Sequence, residues 1–289
     1  MAVAIQPALL KGPGQFAAAQ VWRARGRRVS PLFERAAALL DALGADGRTL
    51  IAARDVAAAA IFPRAGAGGR VPSTQADLFV QCAGATREEL LAAVRRVAAE
   101  LGEVATLDEE VVGGRIGDGR EPFGYRDGLR PPTEEEIRRD AIVADGPLAG
   151  CGLVAWVRFE QDLARFAALP ATRRDRVMGR TPDGASISDA PAEAHVVHAR
   201  RWGRFVRRGF PYRWAGSEGL AFIAVSGGRE ELVRAFDAFV GFVGNGETNE
   251  GGADALTRYV SAVSGGLYVA PPDGGWLRDG AERARRWAE

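Results

Sequence analysis

The 289 residues carry 38 Lys+Arg against 37 Asp+Glu, a formal charge of +1, with 47% hydrophobic and 26% charged residues. That balance excludes the basic excess of a nucleic-acid-binding chain and the low hydrophobicity of a disordered one. No apolar run of about 18 residues occurs and the first residues lack a basic stretch followed by an apolar one, so neither a membrane span nor an export signal is expected, and a cytoplasmic protein is.

In chain order, Pro31 to Leu43 predicts an amphipathic helix with Leu32, Phe33, Ala36, Leu39, Leu40 and Leu43 on one face. Asp77 to Ala83 reads as a strand, and Thr86 with Glu89 three residues on reads as the capped start of a helix ending near Leu101. A further strand is expected over Glu103–Val112. The Gly-, Pro-, Asp- and Arg-rich run from Gly113 to Pro132 reads as a long ordered loop, a frequent seat of function. Next come a strand over Gly152–Phe159, short helices over Gln161–Leu169 and Thr172–Met178, a loop over Thr181–Pro191, and strands over Arg204–Phe210 and Leu220–Val225. An amphipathic helix over Glu230–Val243, another over Asp254–Val263 and a strand over Leu267–Ala270 close the series, and Glu282–Arg286 reads as a solvated helix end. The order suggests an α+β fold with largely antiparallel sheets.

Several chemistries fail on spacing. Gly244-Asn245-Gly246 with Gly251 is not a dinucleotide fingerprint, and neither a phosphate-binding GxxxxGK[ST] loop nor a GxSxG elbow occurs. Cys82 and Cys151 form no CxxC pair and read as buried, reduced thiols. His195 and His198 are the two histidines, so a His-rich zinc site is excluded. The β-branched run Ala194-His195-Val196-Val197-His198 predicts a strand, which would turn the two imidazoles to opposite faces. Arginine supplies nearly all the positive charge, Lys11 being the lone lysine, so a single arginine is weak evidence of function.

Three segments stand out together: Phe123-Gly124-Tyr125-Arg126-Asp127-Gly128-Leu129-Arg130-Pro131-Pro132, Ala194-His195-Val196-Val197, and Val206-Arg207-Arg208-Gly209-Phe210-Pro211-Tyr212. Supporting runs are Met178-Gly179-Arg180-Thr181, Gly219-Leu220-Ala221-Phe222-Ile223-Ala224 and Ser264-Gly265-Gly266-Leu267-Tyr268. In this order the set resembles the dye-decolourising peroxidases. Gly124–Gly128 is similar to that family's GFxDG motif, with Tyr125 in place of Phe. The resemblance runs from about Ala76 to Pro272. It departs at Gly209, where one subfamily carries Asn, and at Arg200-Arg201-Trp202, where parts of the family carry an Arg-x-x-Asn-Pro segment.

The resemblance implies two ferredoxin-like halves enclosing a haem b, divided here as residues 1–132, which include the GxxDG loop, and 133–289, which hold the haem. It implies a haem b peroxidase that reduces hydrogen peroxide with one-electron oxidation of aromatic donors or dyes. By the same resemblance His195 is the iron ligand, Asp127 the base or proton shuttle, and Arg207 the cation that stabilises the departing oxygen. Asp254 would steady the ligand's second nitrogen, and Arg180 would meet a haem propionate. The chemistry agrees: iron needs a neutral imidazole, peroxide cleavage needs a base and a fixed positive charge. Arg208 is the rival to Arg207 by one residue of register. Trp202, Trp214, Trp276, Tyr259 and Tyr268 are candidates for passing electrons to bulky donors. No nucleic-acid or membrane partner is expected, and the resemblance admits a homo-oligomer. A haem-handling carrier without physiological peroxidase activity and a haem-free ferredoxin-like binding protein are the competing readings.

Overall fold

The computed structural model describes residues 4–54, 60–115, 117–127, 130–202, 204–214, 216–242 and 252–279. The first half runs β1 (Phe16–Ala24), α1 (Ser30–Leu43), β2 (Thr49–Ala53), the small ribbon β3 (Arg64–Gly66) and β4 (Gly69–Val71), β5 (Leu78–Gly84), α2 (Arg87–Leu101) and β6 (Ala105–Gly114). After α3 (Glu134–Ala141), the second half runs β7 (Gly152–Gln161), α4 (Leu163–Ala167), α5 (Ala171–Met178), α6 (His195–Trp202), β8 (Val206–Arg207), β9 (Phe210–Trp214), β10 (Ser217–Ser226), α7 (Arg229–Val240), β11 (Val260–Ala262) and β12 (Gly266–Ala270).

The pairing order is β2-β5-β1-β6 in the first half and β9-β10-β7-β12 in the second, all antiparallel. Both are the strand order of a βαββαβ ferredoxin-like unit, so the α+β fold with two ferredoxin-like halves is observed. The two sheets meet at both edges, through Val269 opposite Ala53 and Gly113 opposite Tyr212. The second junction depends on glycine: a Cβ at Gly113 would sit 2.1 Å from the Pro211 carbonyl oxygen.

Alternation along the strands splits the core into layers. Ala17, Ala19 and Val21 of β1, Phe79 of β5, Trp156 of β7 and Ile223 of β10 pack between the sheets. Ala18, Trp22, Leu78 and Val80 turn outward against Leu32, Phe33 and Leu39 of α1 and Leu90 and Val97 of α2. The outer face of the second sheet packs Val157, Phe159 and Ala224 against Leu232 and Phe236 of α7. Helix signals read from sequence hold locally: Thr86 Oγ1 accepts from Glu89 N–H at 3.2 Å, and the Glu89 carboxylate accepts from Ala85 N–H at 2.9 Å, just ahead of the cap.

Four expectations are corrected. His195–Trp202 is a helix, because two β-branched residues cost little in a segment otherwise built of His, Ala, Arg and Trp. The expected helix over Asp254–Val263 is one 3₁₀ turn, Ala255–Arg258, followed by β11, since β7 offers a free edge that Val260–Ala262 pairs with. The expected strand over Arg204–Phe210 breaks into β8 and β9 around Arg208 and Gly209. The helix expected to reach Val243 stops at Val240, where Gly241 takes a left-handed φ of 69°. Strands β1 and β2 fall in a region where no strand was expected. Glu282–Arg286, Gly128, Leu129 and the side chains of Trp202 and Trp214 lie outside the described residues. Cys82 and Cys151 are both buried, and burial pushes the Cys82 thiol up to about 12.

Candidate active site

A cavity that opens to solvent lies on the outer face of the second sheet. Leu220 and Phe222 of β10 and Phe159 of β7 form its floor, Phe236 and Phe239 of α7 one wall, and Met178, Leu256 and Phe123 another. His195, His198, Asp127, Arg180, Arg207 and Asp254 all line it. The residues named from sequence, scattered over 128 positions, thus converge on one space.

His195 is the first residue of α6. Its Nδ1 lies 2.7 Å from Oδ2 of Asp254, which is 3% exposed. The other carboxylate oxygen, Oδ1, accepts from Leu256 N–H at 2.8 Å, so the 3₁₀ turn after Asp254 locks the carboxylate in place. That leaves Nε2 as the nitrogen not tied to Asp254, on a ring that lines the cavity. Burial pulls the imidazole down, and the charge and hydrogen bond of Asp254 outweigh it, so the His195 pKa lies above the ordinary value. His198 also lines the cavity, contrary to the expected strand geometry: three residues apart on a helix is one face. What separates the two histidines is Asp254, not the face they occupy.

Alternation puts Arg207 and Arg208 on opposite faces of the second sheet. Arg207 pairs opposite Ala224, whose side chain belongs to the outer layer, and Arg207 lines the cavity with its guanidinium carbon 4.4 Å above the Phe205 ring. Arg208 faces the layer between the sheets, where its Nε donates to Gln81 at 3.1 Å and its Nη1 donates to the Lys11 carbonyl. Burial lowers Arg208 to about 10. Gly209 lies so close to β10 that a Cβ would sit 2.8 Å from the Ala221 carbonyl oxygen, so a larger residue here would require the backbone to shift.

Asp127 ends a tight loop whose geometry comes from Glu121. The Glu121 carboxylate accepts from Phe123 N–H at 3.0 Å, Tyr125 N–H at 3.1 Å and Gln161 Nε2 at 3.1 Å. Asp127 N–H then donates to the Gly119 carbonyl at 2.8 Å. Burial raises the Glu121 pKa despite those hydrogen bonds, and the Asp127 charge adds to the rise. Burial lowers both Arg207 and Arg180, with the Asp127 charge working the other way on each. Arg180 Nη1 is buried with no hydrogen-bond partner among the described residues. Sequence reading missed Glu121 and Gln161, because nothing distinguishes a buried glutamate from its neighbours in a run as charged as Asp118–Asp127.

The family model for Dyp-type peroxidase, C-terminal, matches residues 118–274, more than half of the chain and every residue that lines the cavity. The chain belongs to the Dyp-type peroxidase family. A dye-decolorizing peroxidase of Mycobacterium tuberculosis is 27% identical over 218 residues, which cover 69% of this chain and 62% of that relative's length. The counterpart from Mycolicibacterium paratuberculosis is also 27% identical, over 69% of this chain and 59% of its own length. The chain therefore matches less than two thirds of each relative. Solved structures share the fold: a dye-decolorizing protein from V. cholerae (TM-score 0.80, 24% identity, 95% of this chain and 99% of that one) and the encapsulated DyP-type peroxidase from Mycobacterium smegmatis (TM-score 0.83, 20% identity, 96% and 98%). A Rhodococcus jostii RHA1 DypB variant solved in complex with heme superposes at a TM-score of 0.81, with 20% identity over 96% of this chain and 99% of that one.

Proposed function

We propose that this Dyp-type protein is a haem b peroxidase that reduces hydrogen peroxide and draws single electrons from aromatic donors. The observation that carries the reading is His195: its Nδ1 is fixed 2.7 Å from a buried carboxylate while the ring lines the cavity. A carboxylate on the second nitrogen is the usual support of a metal-binding imidazole, since it sets the tautomer and raises ligand basicity. The cavity suits the group in two further ways. Its walls are phenylalanine, leucine and methionine, and the buried Nη1 of Arg180 has a donor to give to a propionate.

Haem bound here supplies the iron that takes up peroxide and holds the oxidising equivalents. His195 is the ligand, and Asp254 holds its orientation. Asp127 accepts a proton from one peroxide oxygen and returns it to the other, work suited to a carboxylate beside the cations Arg180 and Arg207. Arg207 offers a permanent positive charge to the departing oxygen, and its stacking on Phe205 keeps that charge at the cavity wall. On this reading the division at 132/133 separates a half that contributes the Asp127 loop from a half that builds the cavity, the protein works in the cytoplasm, and self-association is compatible with the fold.

The test is the absorption spectrum of protein loaded with haem, followed by peroxide turnover and by haem transfer to an apo-acceptor. A high-spin ferric spectrum, turnover with an aromatic donor and slow transfer support the reading. Fast transfer without turnover would make the protein a carrier, and no uptake would remove the cofactor altogether.

A further inference from the structure

We propose that Tyr125 and Asp175 form a proton-coupled electron-donor pair through which the cavity oxidises donors too large to enter it. The inference rests on the peroxidase reading above. Tyr125 is 2% exposed, and its hydroxyl donates to Asp175 Oδ1 at 2.6 Å. The Arg180 guanidinium, which lines the cavity, lies 5.9 Å over the Tyr125 ring, so the phenol stands one side chain behind the cavity wall.

The choice among the tyrosines follows from proton chemistry. A phenol that loses an electron becomes a strong acid, so its oxidation is easy only where a base takes the proton in the same step. Of the four tyrosines, Tyr125 donates to a carboxylate. Tyr212 donates to the Phe159 carbonyl at 3.1 Å, which cannot hold a proton, and Tyr268 meets the Ala76 N–H, a donor, at 3.5 Å. Burial is the chief cause that raises the Tyr125 pKa, and the Asp175 bond adds to it, so the phenol is protonated at rest and has a proton to give.

The step balances as follows. Tyr125 gives one electron to the peroxide-oxidised cofactor. Its O–H bond breaks, the proton forms an O–H bond on Asp175, and a neutral tyrosyl radical remains. An outside donor then returns one electron, and the proton on Asp175 goes back to the phenolate oxygen. A route outward exists in the packing: Tyr125 meets Phe166 at 6.2 Å between ring centroids, and Phe166 meets the half-buried Tyr259 at 5.3 Å. Asp175 itself is half-buried on α5, with access to solvent.

The experiment is electron paramagnetic resonance of haem-loaded protein frozen after hydrogen peroxide, with the optical spectrum of the same sample. Wild type should show a tyrosyl signal, Tyr125→Phe should lose it, and Asp175→Asn should weaken it while binding the same amount of haem. A signal of equal size in Tyr125→Phe, with the optical change intact, overturns the inference and leaves the peroxidase reading standing. If peroxide leaves the optical spectrum unaltered in wild type, the peroxidase reading falls and this inference with it.

Discussion

The two halves of the molecule carry one strand order, yet the first is filled and the second holds the cavity. In the first half the connection from β1 to β2 spans residues 24 to 49, enough for α1 and little else. With α2 it covers the outer sheet face with Leu32, Phe33, Leu39, Leu90 and Val97. In the second half the matching connection, from β7 to β9, spans residues 161 to 210. It is spent on α4, α5 and α6, which stand off the sheet as a wall with the Asp127 loop and the turn after Asp254. A ferredoxin-like sheet thus becomes a container when its first crossover is long enough to form a rim instead of a lid. The sheet still supplies the floor and, through alternation in β8, aims Arg207 into the space.

Substitutions in the two halves should therefore separate stability from cofactor chemistry. The largest effect is expected at His195. His195→Ala should lose bound haem or shift its spectrum to a non-imidazole form, whereas His198→Ala, on the same helix face without Asp254, should keep a high-spin ferric spectrum. The reverse pair of spectra would show that Asp254 marks the wrong histidine.

Next come the polar groups of the cavity. Asp127→Asn should keep haem and slow the reaction with peroxide by roughly 10²–10⁴, the range general-base catalysis supplies. Arg207→Leu should be at least as damaging. Stopped-flow absorbance reads both, and unchanged rates would break the assignment of this chemistry to the polar groups of the cavity.

In the filled half, Leu32→Ala should cost about 2–5 kcal/mol of stability, since Leu32 is fully buried in the packed layer. Denaturant unfolding measures it, and the ferric spectrum should not move. A spectral change would mean that the halves are not separable in this way. Between the sheets, Arg208→Leu should act like a core mutation and not like Arg207→Leu. It strands the buried Gln81 amide oxygen, at about 1–3 kcal/mol, and removes a donor from the Lys11 carbonyl, without a matching loss of peroxide reactivity.

The smallest effect is a pH dependence at the rim. The folded-state pKa of Glu121 is raised by burial above its unfolded value of 4.5. The protonated form is thus favoured by folding, and its contribution is complete below 4.5 and lost as pH rises through the folded value. Glu121→Gln should remove that decline from a plot of Tm against pH starting just above 4.5. A slope identical to wild type would show that Glu121 does not carry it.

Much of this was written in local sequence. The helices Ser30–Leu43 and Arg87–Leu101 follow from apolar periodicity and, for the second, the Thr86 cap. The strands at Leu78–Gly84 and Gly152–Gln161 follow from their apolar runs, and the motif segments marked Asp127, His195 and Arg207. β1 escaped because Phe16-Ala17-Ala18-Ala19-Gln20 has weak strand propensity. It forms where it does because small residues fit between two sheets.

What sequence determined by itself was the local pattern and the names of the polar side chains that meet in the cavity. Tertiary structure decided the rest. It made His195–Trp202 a helix, and it cut the helix expected at Asp254 short so that its carboxylate reaches His195 from 59 residues away. It also turned Arg207 to the cavity and Arg208 to the interior, a choice set by which face of β10 each side chain meets. Tyr125 shows the same limit: in sequence it is one residue of a motif, and only the packing of α5 brings Asp175 to its hydroxyl. Periodicity reports which way a side chain faces within its own element, whereas a site is made of what other elements place opposite it.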